Sequence, residues 1–203
     1  MTTRQPSFDR DDANVWYFYT ASVFSIGIFF SFLAFVSAKS QEKTALSKVL
    51  FWVNFIACST YLLSATRNTH SLPDIHGYPV DICRFIEWVS TCPVLILLIG
   101  EITKTPEISH RTMENDYIML SLGFLGSITR EPFSFVFQMA CFSYFTLVIR
   151  GLIEMFDLAI EGKTACNLDK NALIAAKFGT LCSWTACKDI SNQSCHCLVP
   201  CPL

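Results

Sequence analysis

The sequence predicts an all-α, multi-pass transmembrane helix bundle, and three observations lead to it. First, 52% of the 203 residues are hydrophobic and 16% are charged, whereas soluble domains carry about a quarter charged residues. Second, the mean hydropathy is +0.40. Third, the apolar residues gather into runs close to the length that crosses a hydrocarbon layer, roughly 17 to 25 residues. A formal net charge of -2 supplies no basic face, so nucleic acid is excluded as a partner class. The expected surroundings are the lipid bilayer.

Residues 1–13 read as a polar tail, with Arg4, Asp9, Arg10, Asp11 and Asp12. The first run, 14–36, carries no charge and is too long for the core of a signal peptide, about 7 to 15 residues. A polar link, 38–43, precedes a second helix at 46–65, closed by Arg67, Asn68 and Thr69. A loop with Pro73, Asp74, His76, Gly77 and Pro79 then leads into a third helix, 80–102, which differs in holding Asp81, Arg84 and Glu87. The charged stretch 101–114 reads as a connector. A shorter fourth helix at 116–128 carries Gly123 and Gly126, small residues that let membrane helices approach closely. After the tight link 129–132 comes a fifth helix, 133–156, with Arg150 placed to snorkel to the interface. A weaker sixth helix spans 172–186. From Cys187 to the end, 187–203, the chain is Cys-rich and shows neither membrane nor helical periodicity.

The basic residues of the connectors set the orientation. Lys39, Lys43, Lys48, Lys104, Arg111, Lys163 and Lys170 fall on one side of an alternating path of helices. Arg4, Arg10, Arg67 and Arg130 fall on the other. The N-terminus is therefore expected to be extracellular.

The third helix carries the chemistry. Arg84, Glu87, Trp88 and Thr91 stand at i, i+3, i+4 and i+7, one stripe of a helix with 3.6 residues per turn. A charge near mid-bilayer costs at least about 2.5 to 3.5 kcal/mol on the insertion scale, so such residues face a polar interior and mark functional sites. Glu87 lies seven residues past Val80, about 10 Å along the axis at 1.5 Å per residue. A purely structural Arg84/Glu87 pair is the competing reading. Pro93 frees the carbonyl of Val89 and loosens the helix beside Thr91 and Cys92.

Together, the string Arg84-Phe-Ile-Glu87-Trp88-Val-Ser-Thr91-Cys92-Pro93 resembles the third helix of microbial rhodopsins, and the resemblance covers roughly residues 14 to 186. Tyr61 falls where that family has a tyrosine near the arginine. Asp116, Met119, Gly123 and Gly126 match its fourth-helix pattern around the chromophore ring, and Trp184 matches the tryptophan over the polyene. The resemblance implies a rhodopsin-like seven-helix fold and retinal as cofactor. It implies Glu87 as counterion and proton acceptor, tuned by Arg84, and a retinal pocket of Tyr61, Trp88, Thr91, Cys92, Asp116, Met119, Gly123 and Trp184. Leu98 stands where pumping relatives often carry a carboxylate that donates a proton, so efficient pumping is not expected. Glu87 with Cys92 and Asp116 is most similar to channelrhodopsins and to the rhodopsin part of fungal rhodopsin-guanylyl cyclases.

Past Ala186 the sequence departs from that pattern, with Cys187-Lys188-Asp189 in place of an aromatic-proline continuation and no seventh helix after it. The expectation is a rhodopsin-like bundle lacking its last helix, a truncated or altered chain without the retinal-binding lysine. Covalent attachment of retinal is then not expected for this chain, because Lys163, Lys170, Lys177 and Lys188 lie outside long apolar runs. No stretch reads as an enzyme domain. The end groups Cys182, Cys187, Cys195, His196, Cys197 and Cys201, but its spacing lacks a matching upstream pair, so neither metal nor palmitate is assigned to it.

Two functions from different classes follow. One is a light-sensing, retinal-binding membrane domain of sensory or channel type. The other is a non-photoactive membrane scaffold that acts through helix association in a homo- or hetero-oligomer. Both require the bilayer, and the protein is accordingly expected to stay in the membrane pellet on alkaline carbonate extraction; recovery in the soluble wash contradicts a multi-pass chain.

Overall fold

The computed structural model describes residues 10–66, 71–73, 79–164, 166 and 168–193. Its elements in chain order are α1 (Arg10–Ser37), α2 (Gln41–Ala65), β1 (Ser71–Pro73), β2 (Pro79–Asp81), α3 (Ile82–Thr103), α4 (Pro106–Ile128), α5 (Phe133–Ile160) and α6 (Lys170–Gln193). The two short strands pair antiparallel, with Leu72 opposite Val80, within what the sequence presents as a loop. All other regular structure among the described residues is helical.

Among the described residues, four helices are long and apolar enough to cross a membrane: Val15–Ser37, Lys43–Ala65, Ile82–Thr103 and Phe133–Ile160. The distribution of side chains agrees with a lipid surrounding. Trp16, Phe29, Phe30, Val36, Phe133 and Phe178 are each more than half exposed, while Arg84, Glu87, Thr91, Ser109, Thr112 and Asp116 are buried. In water that pattern is inverted, and a face of this size is left apolar only where something apolar covers it.

Several boundaries differ from the sequence expectation, each for a local reason. Helix α1 already includes residues 10–13, expected to belong to the polar tail, and neither Gly nor Pro stands between Arg10 and Gly27 to interrupt it. Helix α2 begins at Gln41, where Ser40 caps it by accepting a hydrogen bond from the backbone N–H of Lys43 at 3.3 Å. The largest correction concerns 101–114, which is helical except for a two-residue turn. Helix α3 runs to Thr103, and Lys104 takes a left-handed conformation with φ 57, the usual place of a glycine at a helix end. The N–H of Thr105 then closes back onto the carbonyl of Gly100 at 2.9 Å. Lys104 also pairs with Glu101 at 2.7 Å. Pro106 opens α4 at its first position and Glu107 follows in the first turn, both favourable at an N-terminus. The charges that suggested a loop lie on one side of α4: Glu107, His110, Arg111 and Glu114 are exposed, whereas Ser109, Thr112 and Asp116 are buried.

At the other end, α6 continues to Gln193, so residues 187–193, expected to lack helical structure, are helical. That stretch contains no Gly or Pro to stop the helix. The remainder of the Cys-rich end, 194–203, and the tail 1–9 lie outside the described residues.

The chain divides into two compact units, Met1–Pro73 with Pro79–Leu98, and Asp74–Tyr78 with Ile99–Leu203. In the first, α1 packs on α2 around Ala21, Cys58 and Tyr61, flanked by Tyr17, Phe24 and Ile28. Polar groups fasten the same pair: Ser25 Oγ and Cys58 Sγ are 3.3 Å apart, and Asn54 Nδ2 donates to Ser31 Oγ at 3.4 Å. In the second, Phe156, Ala159 and Leu173 join α5 to α6, with Ile99, Ile160 and Cys166 against them. Helices α4 and α5 meet at Gly151, where an added Cβ overlaps Thr112 Oγ1 and stands 3.0 Å from Cγ2 and 3.1 Å from Cβ of the same residue. A methyl group there collides with the whole threonine side chain. Gly151→Ala is accordingly expected to destabilise the protein by about 1 to 3 kcal/mol through overpacking. Gly179→Ala, in α6 with nothing within 4 Å, is expected to be neutral or to stabilise by up to about 1 kcal/mol through helix propensity. Thermal unfolding in detergent compares the two, and equal melting temperatures refute the close α4–α5 contact.

Candidate functional site

In the first unit, the stripe on α3 assembles as its spacing requires. Arg84, Glu87 and Thr91 are buried, at 9%, 5% and 2% exposure, and Trp88 and Cys92 are half-buried beside them. The hydroxyl of Thr91 lies 2.8 Å from the Glu87 carbonyl oxygen and 3.1 Å from Glu87 Oε1. Its one proton serves one acceptor at a time. The second carboxyl oxygen, Oε2, is buried without a partner, as is Arg84 Nε. Pro93 is fully buried within the helix.

Three rings surround the Arg84 guanidinium. Its Cζ lies 5.1 Å from the centre of Trp88, 5.8 Å from Tyr17 and 5.9 Å from Tyr61, within the range of cation–π attraction. Tyr61 is buried and stacks on Phe24, with ring centres 5.6 Å apart. Among the described residues no ion pair joins Arg84 to Glu87. Tyr17 escaped the sequence reading because it sits in the unbroken aromatic run Trp16-Tyr17-Phe18-Tyr19, where periodicity singles out no member.

In the second unit, Asp116 is fully buried in α4 and neither carboxyl oxygen has a partner. Met119 and Gly123 follow at i+3 and i+7, both half-buried. Gly123 faces α5, where an added Cβ stands 3.4 Å from Cys141 Sγ. Trp184 is half-buried in α6, and Lys177, seven residues before it, pairs with Asp157 of α5. Arg111 of α4 pairs with Glu154 of α5 at 3.1 Å. Among the described residues no group of three or more His, Cys, Asp or Glu could hold a metal ion.

A buried carboxyl and guanidinium one turn apart on a proline-containing membrane helix suit a site that handles a cation or a proton. The bacteriorhodopsin-like protein family model matches residues 12–186. The chain belongs to that family. Members of the family are microbial rhodopsins and bind retinal, and the rhodopsin domain itself is non-catalytic.

Solved structures place this rhodopsin among its relatives. It is 28% identical to the transmembrane domain of the rhodopsin phosphodiesterase of Salpingoeca rosetta, with a TM-score of 0.77 over 90% of this chain and 74% of that one. A second structure of that protein, the transmembrane domain with its linker, is 29% identical with a TM-score of 0.76, over 85% of this chain and 63% of that one. The light-driven proton pump of Coccomyxa subellipsoidea shares the fold, at 18% identity and a TM-score of 0.67 over 82% of this chain and 72% of that one. No curated protein sequence matches the chain.

The hydroxyl of Thr91 is the only described donor to the Glu87 carboxyl. Thr91→Val keeps the shape and removes that donor. It is expected to destabilise the rhodopsin by about 1 to 3 kcal/mol, the usual result of leaving a buried polar group unsatisfied, while Thr91→Ser restores most of the loss. Denaturant titration in mixed micelles measures both, and a neutral Thr91→Val shows that the carboxyl does not depend on this bond.

Proposed function

We propose that the chain is the light-sensing, retinal-binding membrane domain of a sensory rhodopsin, with Glu87 as the counterion of a retinylidene cation and Arg84 as the residue that tunes it. The observation that carries this reading is the buried stripe of Arg84, Glu87 and Thr91 on α3, with the Glu87 carboxyl held by the Thr91 hydroxyl. A carboxylate beside a cation neutralises it in a medium of low dielectric, and proton transfer between the two removes both charges at once. Tyr61, Trp88, Thr91 and Cys92 form the part of the retinal pocket next to that carboxyl. The resemblance to microbial rhodopsins carries the same assignment for Asp116, Met119, Gly123 and Trp184.

Sensing is favoured over transport by two features. Leu98 stands where a pump carries its proton-donating carboxylate, and α2 holds no charged residue from Val49 to Ala65, whereas cation channels line their paths with acidic side chains. The relatives at 28% and 29% identity are the membrane parts of a protein named for a phosphodiesterase, which favours an output delivered to another protein domain. Lys39, Lys43 and Lys48 at the α1–α2 turn and Lys163 and Lys170 at the α5–α6 turn support an extracellular N-terminus. Lys177 is engaged by Asp157 and is not the attachment point for retinal.

The test supplies the chromophore as the preformed n-butylamine Schiff base of all-trans retinal, which needs no lysine. Wild-type protein in lipid nanodiscs is expected to displace the visible band of this compound from its position in detergent, and Glu87→Gln to move it to longer wavelength. Removing a charge about 4 Å from a cation changes the interaction by on the order of 4 kcal/mol at an effective dielectric of about 20, enough for an evident colour change. A band that is the same in detergent, in wild type and in Glu87→Gln sinks the proposal. Retinal added without the amine is expected to leave no adduct on Lys177 after borohydride reduction.

A further inference from the structure

The rings around Arg84 come from three helices. Trp88 is one turn along α3, and Tyr61 on α2 is the tyrosine that the family resemblance places near the arginine. Tyr17, on α1, has no role in that resemblance, yet its ring centre is as close to the guanidinium as that of Tyr61, 5.8 Å against 5.9 Å. It is half-buried, packs against the cluster of Ala21, Cys58 and Tyr61, and lies 6.3 Å from the Tyr61 ring. Arg84 is itself buried and its Nε has no acceptor.

Among the described residues of this unit, a buried guanidinium has two kinds of partner open to it. One is the negative face of an aromatic ring, to which a delocalised, weakly hydrated cation is well suited. The other is the carboxyl of Glu87, three residues on, whose Oε2 is buried and unpartnered. Among the described residues the first arrangement is present, and no ion pair joins Arg84 to Glu87.

We propose that Tyr17 is a positioning residue: its ring completes an aromatic cage that holds the Arg84 guanidinium and keeps it from closing onto Glu87. The consequence for colour rests on the reading of Glu87 as counterion, whereas the cage itself does not. With the Tyr17 ring gone, the guanidinium loses one of its three aromatic faces and its population shifts toward the free oxygen of Glu87. A cation at that oxygen offsets the carboxylate charge that would face a retinylidene cation. Tyr17→Phe keeps the ring face and removes only the hydroxyl, so it is the conservative variant.

The cage is tested without any chromophore by nuclear magnetic resonance of the full 203-residue chain, labelled with 15N-arginine in lipid nanodiscs. Arg84 is assigned from its loss in Arg84→Lys. Its guanidinium resonances are expected upfield of those of the other arginines, since rings above and below a proton shield it. Tyr17→Leu is expected to remove part of that shift and Tyr17→Phe to retain it. Unshifted Arg84 resonances in wild type, or a shift unchanged in Tyr17→Leu, overturn the proposal. Should the leucine variant not fold, Tyr17→Met fills the space with a flexible apolar chain and serves in its place.

The same proteins then receive the n-butylamine Schiff base of retinal. Tyr17→Leu is expected to move the band to longer wavelength, in the direction of Glu87→Gln, and Tyr17→Phe to leave it in place. If the arginine shifts behave as expected while no protein displaces the band, the counterion reading fails and the cage stands. If Glu87→Gln moves the band while Tyr17→Leu changes neither the band nor the arginine shift, the cage fails alone.

Discussion

A carboxyl group and a guanidinium on one membrane helix set the terms for the first unit. Lipid offers no hydrogen bond and little dielectric screening to Glu87 or Arg84, so both must be enclosed by protein. The enclosure is built from the neighbours that the chain provides. Thr91 supplies a hydroxyl to Glu87 from the next turn of α3, and aromatic rings of α1, α2 and α3 surround Arg84. The tight packing of α1 on α2 through Ala21, Cys58 and Tyr61 holds two of those rings in place.

The same solvent explains why the packing rules of water-soluble helices are reversed. Phe, Ile and Val face outward and are covered by lipid, while serine, threonine and glycine lie between helices, where small side chains allow close approach. Many of these hydroxyls return their proton to a carbonyl one turn back, as Thr112 does to Ile108 and Ser31 to Gly27, so they cost no unsatisfied donor. Helix α4 shows how this permits a helix with many polar residues. Its charges lie on the exposed side, and its buried side carries Ser109, Thr112 and Asp116, with Ser109 against Gly100 of α3 and Thr112 against Gly151 of α5.

Asp116 differs from those hydroxyls, because its carboxyl is fully buried and neither oxygen has a partner. A polar group so placed is seldom retained for stability alone. Families that share this fold perform pumping, ion conduction and signalling on one scaffold. The differences lie in a few side chains rather than in the bundle.

The amino-acid sequence alone determined that the chain is a bundle of membrane helices, because the length and apolarity of each run are local properties that the bilayer reads directly. It also determined the stripe of Arg84, Glu87, Trp88 and Thr91, since helical periodicity converts spacing into a shared face. It misplaced the start of α4, where charged residues suggest a connector, and the end of α6, where apolar periodicity stops, although no Gly or Pro breaks either stretch after Pro106. A left-handed Lys104 in the place of a glycine gave no sequence signal for the turn. Only the tertiary structure decided that Tyr17 of α1 joins Tyr61 and Trp88 around Arg84, and that Gly151 is where α4 and α5 touch. Such contacts depend on how one helix is rotated against another, and that rotation is fixed by the fit of many side chains at once rather than by the pattern along any one of them.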